Sequence, residues 1–153
     1  MIANTTKIRS IIQSDKEQWK ILYRQYADFY QVPMTEEILE QTFSWLVDGH
    51  HPEEGLVAEL PNGELVGIAH YRAFPKPLLG KDAGFLDDLF VLPTLRGSGI
   101  GRQLIEAVAA IAAERGWPLV RWITAPDNHT ARKLYDGVAQ AAPWVTYDLA
   151  LKG

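Results

Sequence analysis

Leu86-Asp87-Asp88-Leu89-Phe90-Val91-Leu92-Pro93-Thr94-Leu95-Arg96-Gly97-Ser98-Gly99-Ile100-Gly101-Arg102 reads as a strand that runs into a glycine-rich turn and then opens a helix. The strand covers about residues 84–91 and stops at Pro93. Glycines let the following backbone turn sharply with its amides pointing inward, and the N-terminus of the next helix adds roughly half a positive charge. Both features favour a phosphate or pyrophosphate. Arg96 and Arg102 flank the loop and offer charge-assisted contacts. A glycine cluster alone would do no more than reverse the chain. The coincidence of strand, loop, arginines and helix is what points to an anion site.

Downstream, Ile100, Leu104, Val108 and Ile111 form the buried stripe of a helix over about residues 99–115, which Gly116 and Pro118 stop. Residues 119–124 then read as a strand, 128–136 as a short helix and 144–151 as a final strand. Upstream, residues 7–12 are β-prone. Ser14-Asp15-Lys16-Glu17 has the form of a capping box for a helix over residues 15–29, with Trp19, Leu22, Tyr23 and Tyr26 on one face. Thr35 caps a second helix to about residue 47, whose Ile38, Leu39, Thr42, Phe43 and Leu46 share a side. Residues 55–60 and 65–71 form a hairpin around Pro61-Asn62-Gly63-Glu64, because Asn-Gly tolerates positive φ. Pro75 and Pro77 mark a loop. The order of elements predicts an α/β fold of three layers, α/β/α, with a mixed central sheet.

A chain of 153 residues suits one domain over residues 1–153. Its hydrophobic fraction of 47% supports a packed core, and no apolar stretch approaches the ~18 residues of a membrane span. The first ten residues carry Lys7 and Arg9 but no apolar block, so no secretory signal is expected. The absence of cysteine removes disulfides, thiolate metal sites and a cysteine nucleophile, and fits a reducing cytoplasm. A net charge of −4 argues against nucleic acid as a partner. His50, His51, His70 and His129 lack metal-ligand spacing and read as surface or core, so no metal is expected. The aromatic run Trp19, Tyr23, Tyr26, Phe29 and Tyr30 reads as core packing whose far end could wall a pocket. Glu36, Glu37 and Glu40 read as a solvated helix face, or as a lure for cations.

The anion-carrying ligand is narrowed by failed motifs. G-x-G-x-x-G fails because Arg102 stands three residues after Gly99, and Gly-Lys-Ser/Thr is missing. The loop instead resembles the acyl-CoA signature of the GNAT superfamily of N-acetyltransferases, Arg/Gln-x-x-Gly-x-Gly/Ala, here Arg96, Gly99 and Gly101. Asp88-Leu89-Phe90-Val91-Leu92-Pro93 is similar to that family's preceding strand, and Asn128-His129-Thr130-Ala131-Arg132-Lys133-Leu134-Tyr135 to its next motif. Lys16-Glu17-Gln18-Trp19, Tyr26-Ala27-Asp28-Phe29-Tyr30 and Ala142-Pro143-Trp144-Val145-Thr146-Tyr147 are similar to the yeast Hpa-type members. Leu-Asp-Asp-Leu-Phe-Val is also similar to diamine acetyltransferases.

The resemblance implies a sheet of about 6–7 strands with a splayed acyl-CoA cleft, and acetyl-CoA as co-substrate. Its pantetheine arm would bond the backbone of Leu89, Phe90 and Val91 like an added strand; their side chains also read as core, and the two readings are compatible. The amides of Gly97, Ser98, Gly99, Ile100, Gly101 and Arg102 would hold the pyrophosphate. Asn128 would contact the cofactor, or cap its own helix. An amine must lose a proton before it attacks, and the departing thiolate benefits from a donor. Tyr135 stands where the family carries that donor, unless it is a core tyrosine. Asp87 stands where the diamine enzymes carry an acidic base, with Asp88 as the alternative, since neighbours on a strand face opposite ways. The expected activity is direct acetyl transfer to a small amine or polyamine, an amino acid or a protein lysine. A non-catalytic acyl-CoA-binding module is the alternative. The apolar final strand, with the Hpa resemblance, suggests a homodimer.

Overall fold

Burial of one tryptophan organises the first half of the chain. The computed structural model describes residues 5–152, which fall into two compact units, one running through Ile123 and one from Thr124. In the first unit the elements are β1 (Lys7–Ser10), α1 (Lys16–Phe29), α2 (Glu36–Val47), β2 (Glu54–Glu59), β3 (Leu65–Lys76), β4 (Lys81–Val91), α3 (Ile100–Arg115) and β5 (Val120–Arg121). Trp19 of α1 is fully buried among Leu22, Leu39, Phe43, Leu46, Val57, Ile68 and Phe90. Removing an aromatic side chain from water contributes about 1.5–3 kcal/mol, so α1 and α2 are pressed onto one face of the sheet. Gly67, next to Ile68 and therefore on the opposite face, lies so close to α3 that a Cβ there would sit 3.2 Å from Leu104. Ile100, Leu104, Ile105, Val108 and Ala112 of α3 are buried. The expected three layers are present.

The sheet has the order β1-β2-β3-β4-β5. The first three pairings are antiparallel and β4–β5 is parallel, so the sheet is mixed as expected. It has five strands among the described residues, not 6–7. The missing strand is the one expected over residues 144–151. Trp144, Val145, Tyr147, Leu149 and Leu151 are 73–88% exposed, and no strand forms there. The alternating apolar pattern is right for a strand, but a strand also needs a neighbour for its backbone groups, and this segment pairs with none. The predicted strand over 119–124 shrinks to β5, two residues long.

The β2–β3 turn follows its sequence: Gly63 takes φ 89°, and the Asn62 side chain accepts from the Glu64 amide at 2.9 Å. The loop expected at Pro75 comes later, because β3 continues to Lys76 with Pro75 opposite Asp82. The capping box expected from Ser14 and Glu17 is replaced. Asp15, buried, accepts from the Ile12 amide at 2.8 Å and receives a two-pronged ion pair from Arg9 at 2.9 Å. That pairing outcompetes a lone hydroxyl because it also joins α1 to β1, and Arg9 reaches Glu59 of β2 as well. Glu36 and Glu40 are not a free face: they pair with Lys16, Lys20 and Arg24 of α1. Thr35 caps α2 through Ile38 as expected. The second unit contains α4 (His129–Val138). Among the described residues no helix is long and apolar enough to cross a membrane.

The place where β4 meets β5 depends on Gly84. Its amide donates to the Leu119 carbonyl at 2.9 Å, and a Cβ there would lie 2.7 and 2.9 Å from the Trp117 ring. Gly84→Ala overpacks a flat ring held between elements and should lower stability by about 1–3 kcal/mol. That is a melting-point loss of ~2–4 °C per kcal/mol for a chain of this size, measurable by calorimetry. An unchanged melting point would show that the Trp117 contact does not hold β5 in place.

Candidate acyl-CoA and acceptor site

β5 pairs with β4 only at Gly84 and Phe85, opposite Val120 and Arg121. The other edge of β4 stays bonded to β3 as far as Val91. On the β5 side, residues 86–91 meet no strand among the described residues, so their backbone has no ladder there, and the Val91 carbonyl takes a bond from Arg96 instead. Leu89, Phe90 and Val91 lie on this stretch of β4; Phe90 and Val91 bury their side chains, as the core reading has it.

The edge leads into the glycine loop. Pro93–Leu95 forms a short 3-10 turn; then Gly97 and Gly99 take φ 84° and 95°, where only glycine is unstrained. No side chain caps the start of α3, so its first amides and its positive dipole end are not neutralised from within. Ile100 is a core residue by its side chain, and with Gly101 it opens the first turn. Ser98 turns its hydroxyl back to the Leu95 carbonyl. Arg96 donates to the Val91 carbonyl at 3.3 Å and lies over the rings of Phe29 and Phe90. Arg102 pairs with Glu106 one turn along the helix at 2.9 Å.

A second cluster lies beside the start of the open edge. The β3–β4 register slips between His70 and Tyr71, so His70 faces Asp88 and Tyr71 faces Leu86, leaving Asp87 as the extra residue of a bulge. Alternation therefore fails at this step. Asp88 accepts from Tyr23 OH at 3.0 Å and lies 2.8 Å from His70 Nδ1. Asp87 accepts from Arg72 Nε at 2.9 Å. His70 and Arg72 are two apart on β3 and share a face, so both aspartates address the same side, against the expectation of opposite faces. Trp19 Nε1 donates to His70 Nε2 at 3.0 Å. An indole can only donate, so the His70 proton sits on Nδ1 and is given to Asp88. Burial pushes the Asp88 carboxyl up, but the bonds from His70, Tyr23 and Tyr26 prevail and hold it below the usual range. Burial, then Asp88, push the hydroxyls of Tyr23 and Tyr26 up.

Glu53 joins this group from the position just before β2. Burial first, then its hydrogen bond to Asp87, push its carboxyl up to about 9. Its Oε2 is buried without a hydrogen-bond partner. Two carboxyls in contact share one proton more readily than they bear two charges. Sequence reasoning missed Glu53 and Arg72 and read His70 and Tyr23 as core. They come from three stretches far apart in the chain, α1, the residue before β2, and β3, so no spacing could have joined them.

In the second unit, Asn128 caps α4, accepting from the Ala131 amide at 3.4 Å and donating to Thr124 at 3.3 Å. Tyr135 is half-buried on α4. Among the described residues no group of histidines and carboxylates could hold a metal ion. His51 stacks on Trp45.

Glu53 makes stability depend on pH. Its folded value, about 9, lies above the unfolded one of ~4.3, so its contribution is fully present below the unfolded value and is lost as pH rises towards 9. Glu53→Gln retains a neutral, hydrogen-bonding group of the same shape. The melting temperature of that variant should exceed wild type by several degrees at pH 8 and fall less steeply from pH 5 to 9. Parallel curves for the two proteins would show that Glu53 is ionised in the fold.

Residues 16–137 match the acetyltransferase (GNAT) family. The chain is 32% identical over 148 residues to the D-amino-acid N-acetyltransferase HPA3 of Saccharomyces cerevisiae, covering 96% of this chain and 92% of that one. It is 30% identical over 142 residues to the thialysine N-epsilon-acetyltransferase of Mus musculus, covering 86% and 81%. Its fold superposes with a TM-score of 0.82 on the ribosomal-protein-alanine N-acetyltransferase of Brucella melitensis biovar Abortus 2308, at 28% identity, covering 95% of this chain and 99% of that one. The matched region includes the β4 strand, the glycine loop and the residues of α4 through Gly137. By its sequence over this span, and by the fold that the span produces, the chain belongs to the GNAT acetyltransferase family.

Proposed function

We propose that the protein transfers acetyl from acetyl-CoA to the amino group of a small amine or amino acid, and that β4, the glycine loop and the Asp87–Asp88 bulge carry out the work. The observation that carries this reading is the edge of β4 over residues 86–91, unpaired by any described strand and continuous with uncapped amides at the start of α3. An extended amide-bearing arm suits the first and a pyrophosphate the second, so the residues present fit acetyl-CoA. Leu89, Phe90 and Val91 hold the arm through their backbone. The amides of Gly97, Ser98, Gly99, Ile100, Gly101 and Arg102 hold the phosphates, and Arg96 and Arg102 exchange their present partners for them. Asn128 orders the start of α4 beside the cofactor. When bound, acetyl-CoA supplies an activated thioester.

Asp87 takes the proton from the attacking amine, directly or through water, and the Tyr135 hydroxyl returns one to the departing sulfur. Asp88, held by three donors, positions the bulge. Direct transfer needs no cysteine, and rate comes from holding both substrates together. The acceptor class is read from the relatives: D-amino acids for the yeast protein and thialysine for the mouse one. A polyamine or protein lysine remains a further acceptor to assay. Residues 1–153 are proposed to act as one domain, which a family match over residues 16–137 supports, and a chain without cysteine suits the cytoplasm.

The assay is release of free thiol with a panel of amines. Tyr135→Phe keeps the ring and should lower kcat by ~10²–10⁴ with little change in acetyl-CoA affinity. Gly99→Asp, which adds a charge and a Cβ where phosphate belongs, should abolish the thermal shift that acetyl-CoA produces in the wild type. Normal turnover by Tyr135→Phe would remove it from the role of acid, and a shift intact in Gly99→Asp would remove the loop from the cofactor site.

The exposed run over residues 144–151 is proposed to pair with its counterpart in a homodimer, since Val145, Tyr147, Leu149 and Leu151 present alternating apolar side chains to solvent. Light scattering at micromolar concentration should give twice the chain mass, and Tyr147→Pro should give the monomer. A wild-type monomer would overturn this assembly.

A further inference from the structure

We propose that Arg72 binds a carboxylate of the acceptor, so that the site takes amino acids in preference to amines that lack the acid. This rests on the acetyltransferase reading and adds the chemical class that the acceptor site selects. Arg72 is fixed at two points: Nε is 2.9 Å from Asp87 Oδ2, and the guanidinium lies 4.8 Å over the Phe85 ring. Glu53 also approaches at Nε, at 4.0 Å. Among the described residues, the hydrogen bonding of Arg72 runs through Nε alone. Its terminal nitrogens bond to no described residue, and the side chain is 37% exposed. A guanidinium held at Nε and over a ring, with its terminal nitrogens bonded to no described residue, is prepared to receive a carboxylate with two parallel bonds.

The charges fit the same ligand. Arg72 and Asp87 present a cation and an anion 2.9 Å apart, the scale on which an α-amino acid carries its ammonium and carboxylate. An amine delivered to Asp87 places the carboxylate of the same molecule within reach of the Arg72 fork. Such a zwitterion adds no net charge to a half-buried site, whereas a plain ammonium leaves one uncompensated. Phe85 beneath the guanidinium keeps it from folding away.

The experiment compares matched acceptors, phenylalanine against 2-phenylethylamine and alanine against ethylamine, in wild type, Arg72→Gln and Arg72→Lys. Arg72 also touches Asp87, so a change in kcat shared by both members of a pair is expected. Recognition of the carboxylate is read instead in KM. For the wild type, kcat/KM should favour the amino acid. In Arg72→Gln, KM should rise about 10–100-fold more for the amino acid than for its amine, the range of a charged hydrogen-bonded contact, with Arg72→Lys between. A thermal shift with acetyl-CoA in each variant shows that it is folded. Equal KM changes for both members, or a wild type that favours the amine, would overturn the proposal while leaving the acetyltransferase intact. Turnover of no acceptor by the wild type would overturn both.

Discussion

The indole N–H of Trp19 must find an acceptor once the ring is buried, and the acceptor it finds is His70 Nε2. That one bond sets much else. It fixes the imidazole tautomer and sends the other ring proton to Asp88, which is then held from a second side by Tyr23. Trp19 and Tyr23 belong to α1, His70 to β3 and Asp88 to β4, so the chain of bonds rivets the helix to the middle of the sheet. A buried donor without a partner costs ~1–3 kcal/mol. The network is therefore all or nothing: each member is inexpensive to bury only while the others stay in place.

The register slip on β4 is what makes this rivet compatible with a site. By inserting Asp87 as an extra residue, the bulge lets Asp88 turn inward to His70 and Tyr23 while Asp87 addresses Arg72 and Glu53 on the same side. One carboxylate is held by donors from His70, Tyr23 and Tyr26. The other shares its environment with a second acid and a cation, Glu53 and Arg72. Two adjacent, chemically identical residues thus acquire different environments, and the difference comes wholly from what the bulge places around them.

A second constraint acts on the same strand. Gly84 admits the Trp117 ring, which allows β5 to approach β4 over two residues. Beyond that point β4 keeps β3 on one edge and no described strand on the other. In most sheets an edge of this kind is a liability to be covered. Here it is followed within a few residues by the glycine loop and the uncapped start of α3, so the strand edge without a ladder and the uncapped helix belong to one stretch of chain.

Local chemistry was legible in the sequence wherever a few consecutive residues suffice to impose it. Asn62-Gly63 made its turn, Thr35 capped α2, and Gly97 and Gly99 adopted the left-handed backbone that the loop needs. Periodicity placed the helices and most strands. The motif from Leu86 to Arg102 and the one ending in Tyr135 pointed to the family, because binding through backbone amides constrains glycine positions along the chain. Other features were decided only in three dimensions. The acid that reaches back to a backbone amide ahead of α1 is Asp15, bonded to Ile12, and not Glu17, because Arg9 comes across from β1 to meet it. Residues 144–151 carry the pattern of a strand yet stay exposed, since pattern chooses a face and only a neighbour supplies hydrogen bonds. The two aspartates were visible, but not that a bulge turns both to one side. Glu53, His70, Arg72 and Tyr23 were invisible as a group, because electrostatic contact depends on distance in space, and the fold alone brings together groups that the sequence holds tens of residues apart.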